Sequence, residues 1–171
     1  MPNSFGIIPN RPNFAIIPLP EKSPIYKDSV FTVTKNINGL LGGVITLNKS
    51  YTSIGGGTVN ILVEMVILPA SFFGQREITL TIDDSLAIMH CEPSMNFLLP
   101  VVVLQTFTGL DLATYNTNDI DYGYIGYNGN FELIPRDIIL VNKLLGTVTV
   151  VGAKINHFSR YGWVRKHGNS N

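Results

Sequence analysis

Charge is scarce in this chain: Asp, Glu, Lys and Arg make up 14% of its 171 residues, against roughly 25% in an average soluble domain. Twelve Lys and Arg balance twelve Asp and Glu. That balance excludes the basic footprint with which proteins hold nucleic-acid phosphates. Cys91 stands alone, so no internal disulfide can form and a disulfide-stapled secreted scaffold is excluded; assembly in a reducing cytoplasm fits. His90 beside it points to the opposite face of a strand, so Cys91 is expected as a buried structural thiol. Long apolar runs are missing too. Ile61–Leu68 is interrupted by Glu64 and Phe97–Leu104 by Pro100, both far short of the roughly 18 residues a membrane-crossing helix needs. Pro2, Pro9 and Pro12 break any apolar stretch at the start, and no signal peptide is expected.

Chemical signatures are equally absent. The chain contains no H-E-x-x-H, C-x-x-C, G-x-S-x-G or phosphate-loop motif. His90, His157 and His167 are scattered without metal-ligand spacing. Asn118-Asp119-Ile120-Asp121 places oxygens at calcium-like intervals but lacks the glycine and glutamate of an EF-hand loop. The expectation is a protein that is not an enzyme and carries no cofactor or metal.

What the chain does have is strand texture. Hydrophobic residues make up 45%, ample for the core of one domain. Ser29–Thr34, Gly43–Leu47, Thr58–Leu68, Glu77–Ile82, Leu86–Cys91, Phe97–Phe107, Tyr122–Tyr127, Asn130–Ile134 and Gly146–Ile155 all read as strands. In the long strand from Thr58, the residues Asn60, Leu62, Glu64, Val66 and Leu68 share one face, so Glu64 needs a partner or an interface. Asn128-Gly129 marks a hairpin, because both central turn positions require positive φ. Arg136–Leu145 fits a helix or a strand equally. The fold class expected is all-β: an antiparallel β-sandwich or jelly roll.

The first 24 residues differ from the rest. Met1–Pro24 holds six of the ten prolines, which favours an extended arm. Within it Phe5-Gly6-Ile7-Ile8-Pro9 recurs as Phe14-Ala15-Ile16-Ile17-Pro18. Six apolar side chains, Phe5, Ile7, Ile8, Phe14, Ile16 and Ile17, seek cover, either from their own domain or from another subunit. Full burial is worth about 1.5–3 kcal/mol apiece. The expected organisation is an arm over 1–24, a sandwich over 25–156 and a tail over 157–171.

Charge is also unevenly spread. Eight acids and no Lys or Arg lie between Arg76 and Arg136, and no acid follows Asp137. Tyr115, Tyr122, Tyr124 and Tyr127 cluster with asparagines, a mixture that suits a ligand-binding surface as well as sheet packing.

Three segments carry a resemblance: Ile67-Leu68-Pro69, the hairpin Tyr124–Leu133 around Asn128-Gly129, and the closing strand Gly146–Ile155. Their order from Asn38 to Phe158 resembles the C-terminal jelly-roll domains of bacteriophage fibre and receptor-binding proteins. It is similar also to complement-type and tumour-necrosis-factor-like trimeric jelly rolls. The resemblance implies a homotrimer in a virion assembled in the host cytoplasm, attached to other virion proteins by its N-terminal arm, with a head that binds host-surface glycans. Lacking a long shaft, such a protein would be a short fibre, a spike or a capsid decoration protein. A receptor-binding head module and a single-jelly-roll capsid or penton subunit are the alternatives.

Overall fold

The computed structural model describes residues 14–166. In chain order its strands begin with β1 (Phe14–Ile16), β2 (Thr32–Asn38), β3 (Gly43–Thr52) and β4 (Thr58–Ile67). The middle of the chain forms β5 (Gln75–Ile82), β6 (Ile88–Glu92), β7 (Asn96–Thr108) and β8 (Ile120–Ile125). The last four are β9 (Phe131–Leu133), β10 (Ile138–Asn142), β11 (Thr147–His157) and β12 (Arg160–Lys166). The only helical turns among the described residues are two short 3-10 segments, Pro24–Tyr26 and Thr117–Asp119.

Two antiparallel sheets face each other. One has seven strands in the order β2-β5-β6-β12-β8-β9, with β1 added to β12; the other has five, β10-β11-β7-β4-β3. The chain changes sheet at six of its eleven connections, among them β2 to β3, β4 to β5 and β11 to β12. The period-2 pattern decides what is buried. In β4, Val59, Ile61, Val63, Met65 and Ile67 all turn inward, while Asn60, Leu62 and Glu64 face out. Ile78, Leu80 and Ile82 of β5 meet the same core from the other sheet. The ambiguous segment after Arg136 is the strand β10, paired along its length with β11.

The arm divides. Phe5, Ile7 and Ile8 lie outside the described residues. The second repeat packs on its own chain: Phe14, Ala15 and Ile16 pair with Lys166, Arg165 and Val164 of β12. Ile17 is buried in the main core, donates its N–H to the Trp163 carbonyl at 3.0 Å and accepts from the Ala87 N–H at 2.8 Å. Farther on, Leu19 N–H reaches Ser85, Tyr51 Oη donates to the Pro20 carbonyl at 2.6 Å, and Ser23 N–H reaches Thr52. Residues 17–23 therefore run from one sheet to the other. This corrects the expectation that Phe14, Ile16 and Ile17 serve an external subunit: the prolines keep the backbone extended, and alternation turns Ile17 inward while Phe14 and Ile16 cover the outer face.

The C-terminal boundary also moves. Residues expected in a tail from 157 form β12, an interior strand bonded to β6 on one side and β8 on the other. Tyr161 and Trp163 enter the core; Val164 joins Ile88 and Ile125 in a second cluster on the outer face, covered by Phe14, Ile16, Leu86 and Phe131. Gly123 makes that cover fit, since the Phe131 ring lies within 3 Å of where a Cβ would stand.

Candidate functional site

The four tyrosines do not share a surface. Alternation puts Tyr122 and Tyr124 on the inner face of β8, on either side of Gly123. Tyr122 has no exposure and packs edge-on against Trp163, ring centroids 5.1 Å apart. Burial pushes its phenol well above the ordinary value, reinforced by Cys91 and Tyr161. Tyr124 is half-buried beside His157 and Tyr161. Tyr115, in the loop before β8, lies under the Arg165 guanidinium at 4.9 Å, and Tyr127 under that of Arg160 at 4.2 Å. Tyr127 is 79% exposed. Tyr122 presents nothing to a ligand, and the cluster read from the sequence separates into a core residue and three dispersed contacts.

The charged groups form structural pairs. Asp121, almost wholly buried, accepts from Arg136 Nη1 at 2.6 Å and from Lys166 Nζ at 2.7 Å, and its Oδ1 also receives the Tyr122 N–H at 2.8 Å. The acidic middle of the chain and its basic end thus meet inside one molecule. Lys22, with 7% of its side chain exposed, donates to the Ser29 carbonyl at 2.9 Å and to Asp84 at 3.1 Å, and lies 4.8 Å from the Phe31 ring. It borders an open cleft of about 490 Å³ that also includes Glu21, Lys27 and Ser85. Ser85 Oγ faces Asp83 at 3.4 Å, an arrangement that closes a turn. Cys91 is buried, and burial pushes its thiol up, which keeps it from acting as a nucleophile. Among the described residues no group of three or more His, Cys, Asp or Glu is placed to hold a metal, and no helix is long and apolar enough to cross a membrane.

The surface is more informative than the clefts. On the outside of the five-stranded sheet, strand register arranges the side chains in rows. The first two run Asn142, Thr147, Thr108, Asn60, Ser50 and Leu140, Thr149, Thr106, Leu62, Asn48. The hydroxyls of Thr106 and Thr149 bond at 3.0 Å. The next rows are Ile138, Val151, Leu104, Glu64, Thr46 and then Lys154, Val102, Val66, Val44. Glu64 and Lys154 are the charged members. The outside of the seven-stranded sheet is built differently: Thr32, Thr34, Glu77, Thr81, His90 and Glu92 line one half, and β1 with Phe131 covers the other. A solvated antiparallel face normally alternates to polar residues outward. The five-stranded sheet departs from that pattern.

From its apolar rows this face runs into a tip without charge. The segments 39–42, 68–74 and 97–100 contain no ionisable side chain, and they expose Leu40, Leu41, Leu68, Phe73, Leu98 and Leu99. Phe73 is 84% and Leu41 73% exposed. The three segments are bonded together: Ala70 N–H to Leu40 at 3.1 Å, Ser71 N–H to Gly39 at 3.1 Å and Leu98 N–H to Ser71 at 2.8 Å. Beneath them Phe72, Phe97 and Phe158 stack edge to face, with centroids 6.0 and 4.6 Å apart. Gly39 is required here, because a Cβ would meet the Phe72 carbonyl at 2.1 Å.

No family model, curated protein or solved structure matches this chain. Sequence reading isolated Glu64 and its face but not the tip, although Leu40-Leu41, Phe72-Phe73 and Leu98-Leu99 give a signal: three apolar doublets beside glycine or proline, of which only Phe72 is buried.

Proposed function

We propose that this chain is a structural subunit of a bacteriophage particle, a short fibre, spike or capsid decoration protein that works by association and not by chemistry. One observation carries the reading: the body has two distinct ends. Phe14 enters beside Lys166, at the finish of β12. The apolar tip is built around Phe158, just before the start of that same strand. An attachment arm leaving from one end and a greasy contact tip at the other suit a protein fixed to a particle by its base. Exposed apolar patches of this kind are otherwise costly for a protein working alone in water. The residues of the first repeat, Phe5, Ile7 and Ile8, serve in this reading as the anchor.

The experiment is direct. Antibody raised against the purified body is expected to label purified phage particles, and deletion of residues 1–13 is expected to remove the protein from them while leaving it folded. Particles that carry no label, with the chain found only in the soluble fraction, overturn the reading.

A further inference from the structure

We propose that the outer face of the five-stranded sheet is a two-fold interface with a second copy of this chain, an inference separate from any role in a particle. The face is apolar over the rows that hold Leu104 and Val102 and nearly free of charge, while the opposite sheet is polar or already covered by β1. Size fits the assignment. Five strands about 4.8 Å apart and roughly ten residues long, less the short β10, give about 700 Å², within the roughly 600–1,000 Å² that each partner contributes to a standard interface.

Charge placement selects the occupant. Glu64 lies on β4 and Lys154 on β11, on opposite sides of the central strand β7. A half-turn about an axis along β7 lays β4 of one copy over β11 of the other. Each Glu64 then faces a Lys154, and the two contacts are equivalent by symmetry, as an isologous pair requires. Register agrees as well: Glu64 is level with Leu104 and Lys154 with Val102, an offset of about 7 Å along the strand that a lysine side chain spans. On the axis itself Leu104 and Val102 meet their own counterparts. Thus the acid that the sequence left without a partner finds one in a second molecule.

Light scattering and sedimentation of the full chain test this. The expected mass is twice the 18.8 kDa of one chain. Leu104→Lys brings like charges together on the axis and is expected to weaken the dimer at least about 100-fold. Glu64→Lys and Lys154→Glu alone are each expected to weaken it about 10-fold, and the doubly exchanged protein to recover to within about 3-fold of the original. That recovery does not depend on how well the Leu104 variant folds. A monomer at every accessible concentration, a mass of three protomers, or a double exchange no better than the single changes overturns the interface. A dimer that obeys these rules but never labels particles leaves the interface standing and removes the particle role; a monomer found on particles does the reverse.

Discussion

Ile17 is where the arm either belongs to the fold or does not, and Ile17→Ala separates the two. Its side chain is 1% exposed, and its backbone is bonded to Trp163 and Ala87 on both sides. Removing three carbons forfeits about 2.4 kcal/mol of transfer free energy at ~0.8 kcal/mol per methylene. The cavity left between well-packed strands brings the loss to about 3–4 kcal/mol. For a domain of this length each kcal/mol lowers the melting temperature by about 2–4 °C, so a fall of about 6–16 °C is expected. Trp163, the one tryptophan and fully buried, is the natural probe, because its carbonyl accepts the Ile17 N–H. Thermal melts followed by its fluorescence should show the drop, while Ile25→Ala, at a side chain 81% exposed, should stay within about 0.5 kcal/mol of the original. If the Ile17 variant melts within about 2 °C of the unaltered chain, residue 17 is not core and the placement of β1 is wrong.

Three further outcomes are expected. Asp121→Ala should cost about 2–3 kcal/mol by urea unfolding, below the ~3–5 for a wholly buried pair because Arg136 and Lys166 reach water once released; an unchanged midpoint would refute the assignment of the cluster. Stability should fall in alkali: burial holds the Tyr51 phenol up at about 12 against about 10 when unfolded, so the folded state keeps a proton the unfolded chain gives up. That contribution is intact below pH 10 and lost as pH rises toward 12; Tyr122, Tyr161 and Cys91 shift in the same direction, and equal urea midpoints at pH 8 and 11 would contradict this. Cys91 should react with a thiol reagent only as fast as the domain unfolds, and labelling of the native protein at the rate of a free thiol would place it outside the core.

Most of the sandwich was legible because its signal is local. Thr58–Ile67 and Glu77–Ile82 alternate cleanly, and alternation alone says which side is buried. The strand ends were harder. β2 runs on through Lys35-Asn36 to Asn38, polar residues that an edge strand tolerates and a propensity reading cuts off. β12 was missed because Arg160, Arg165 and Lys166 mimic a solvated tail, although Tyr161 and Trp163 flank Gly162 with strand spacing. The same spacing in Tyr122-Gly123-Tyr124 marked a buried face, where the asparagine-rich surroundings had suggested a binding surface. Composition cannot report that Asp121 and Lys166, 45 positions apart, meet. Long-range pairing fixes that, and it is visible only once the sheet is closed.

The strand filling the middle of the larger sheet is also the last of the described strands in chain order. Until Lys166 clears the ribosome, β6 and β8 stand as two open edges with no backbone between them to take up their hydrogen bonds, and Ile17 has no Trp163 to receive it. Closure of the larger sheet therefore waits for β12, and chains still without it each display adhesive strand edges to their neighbours. A cell producing this protein in quantity has reason to keep its unfinished chains apart.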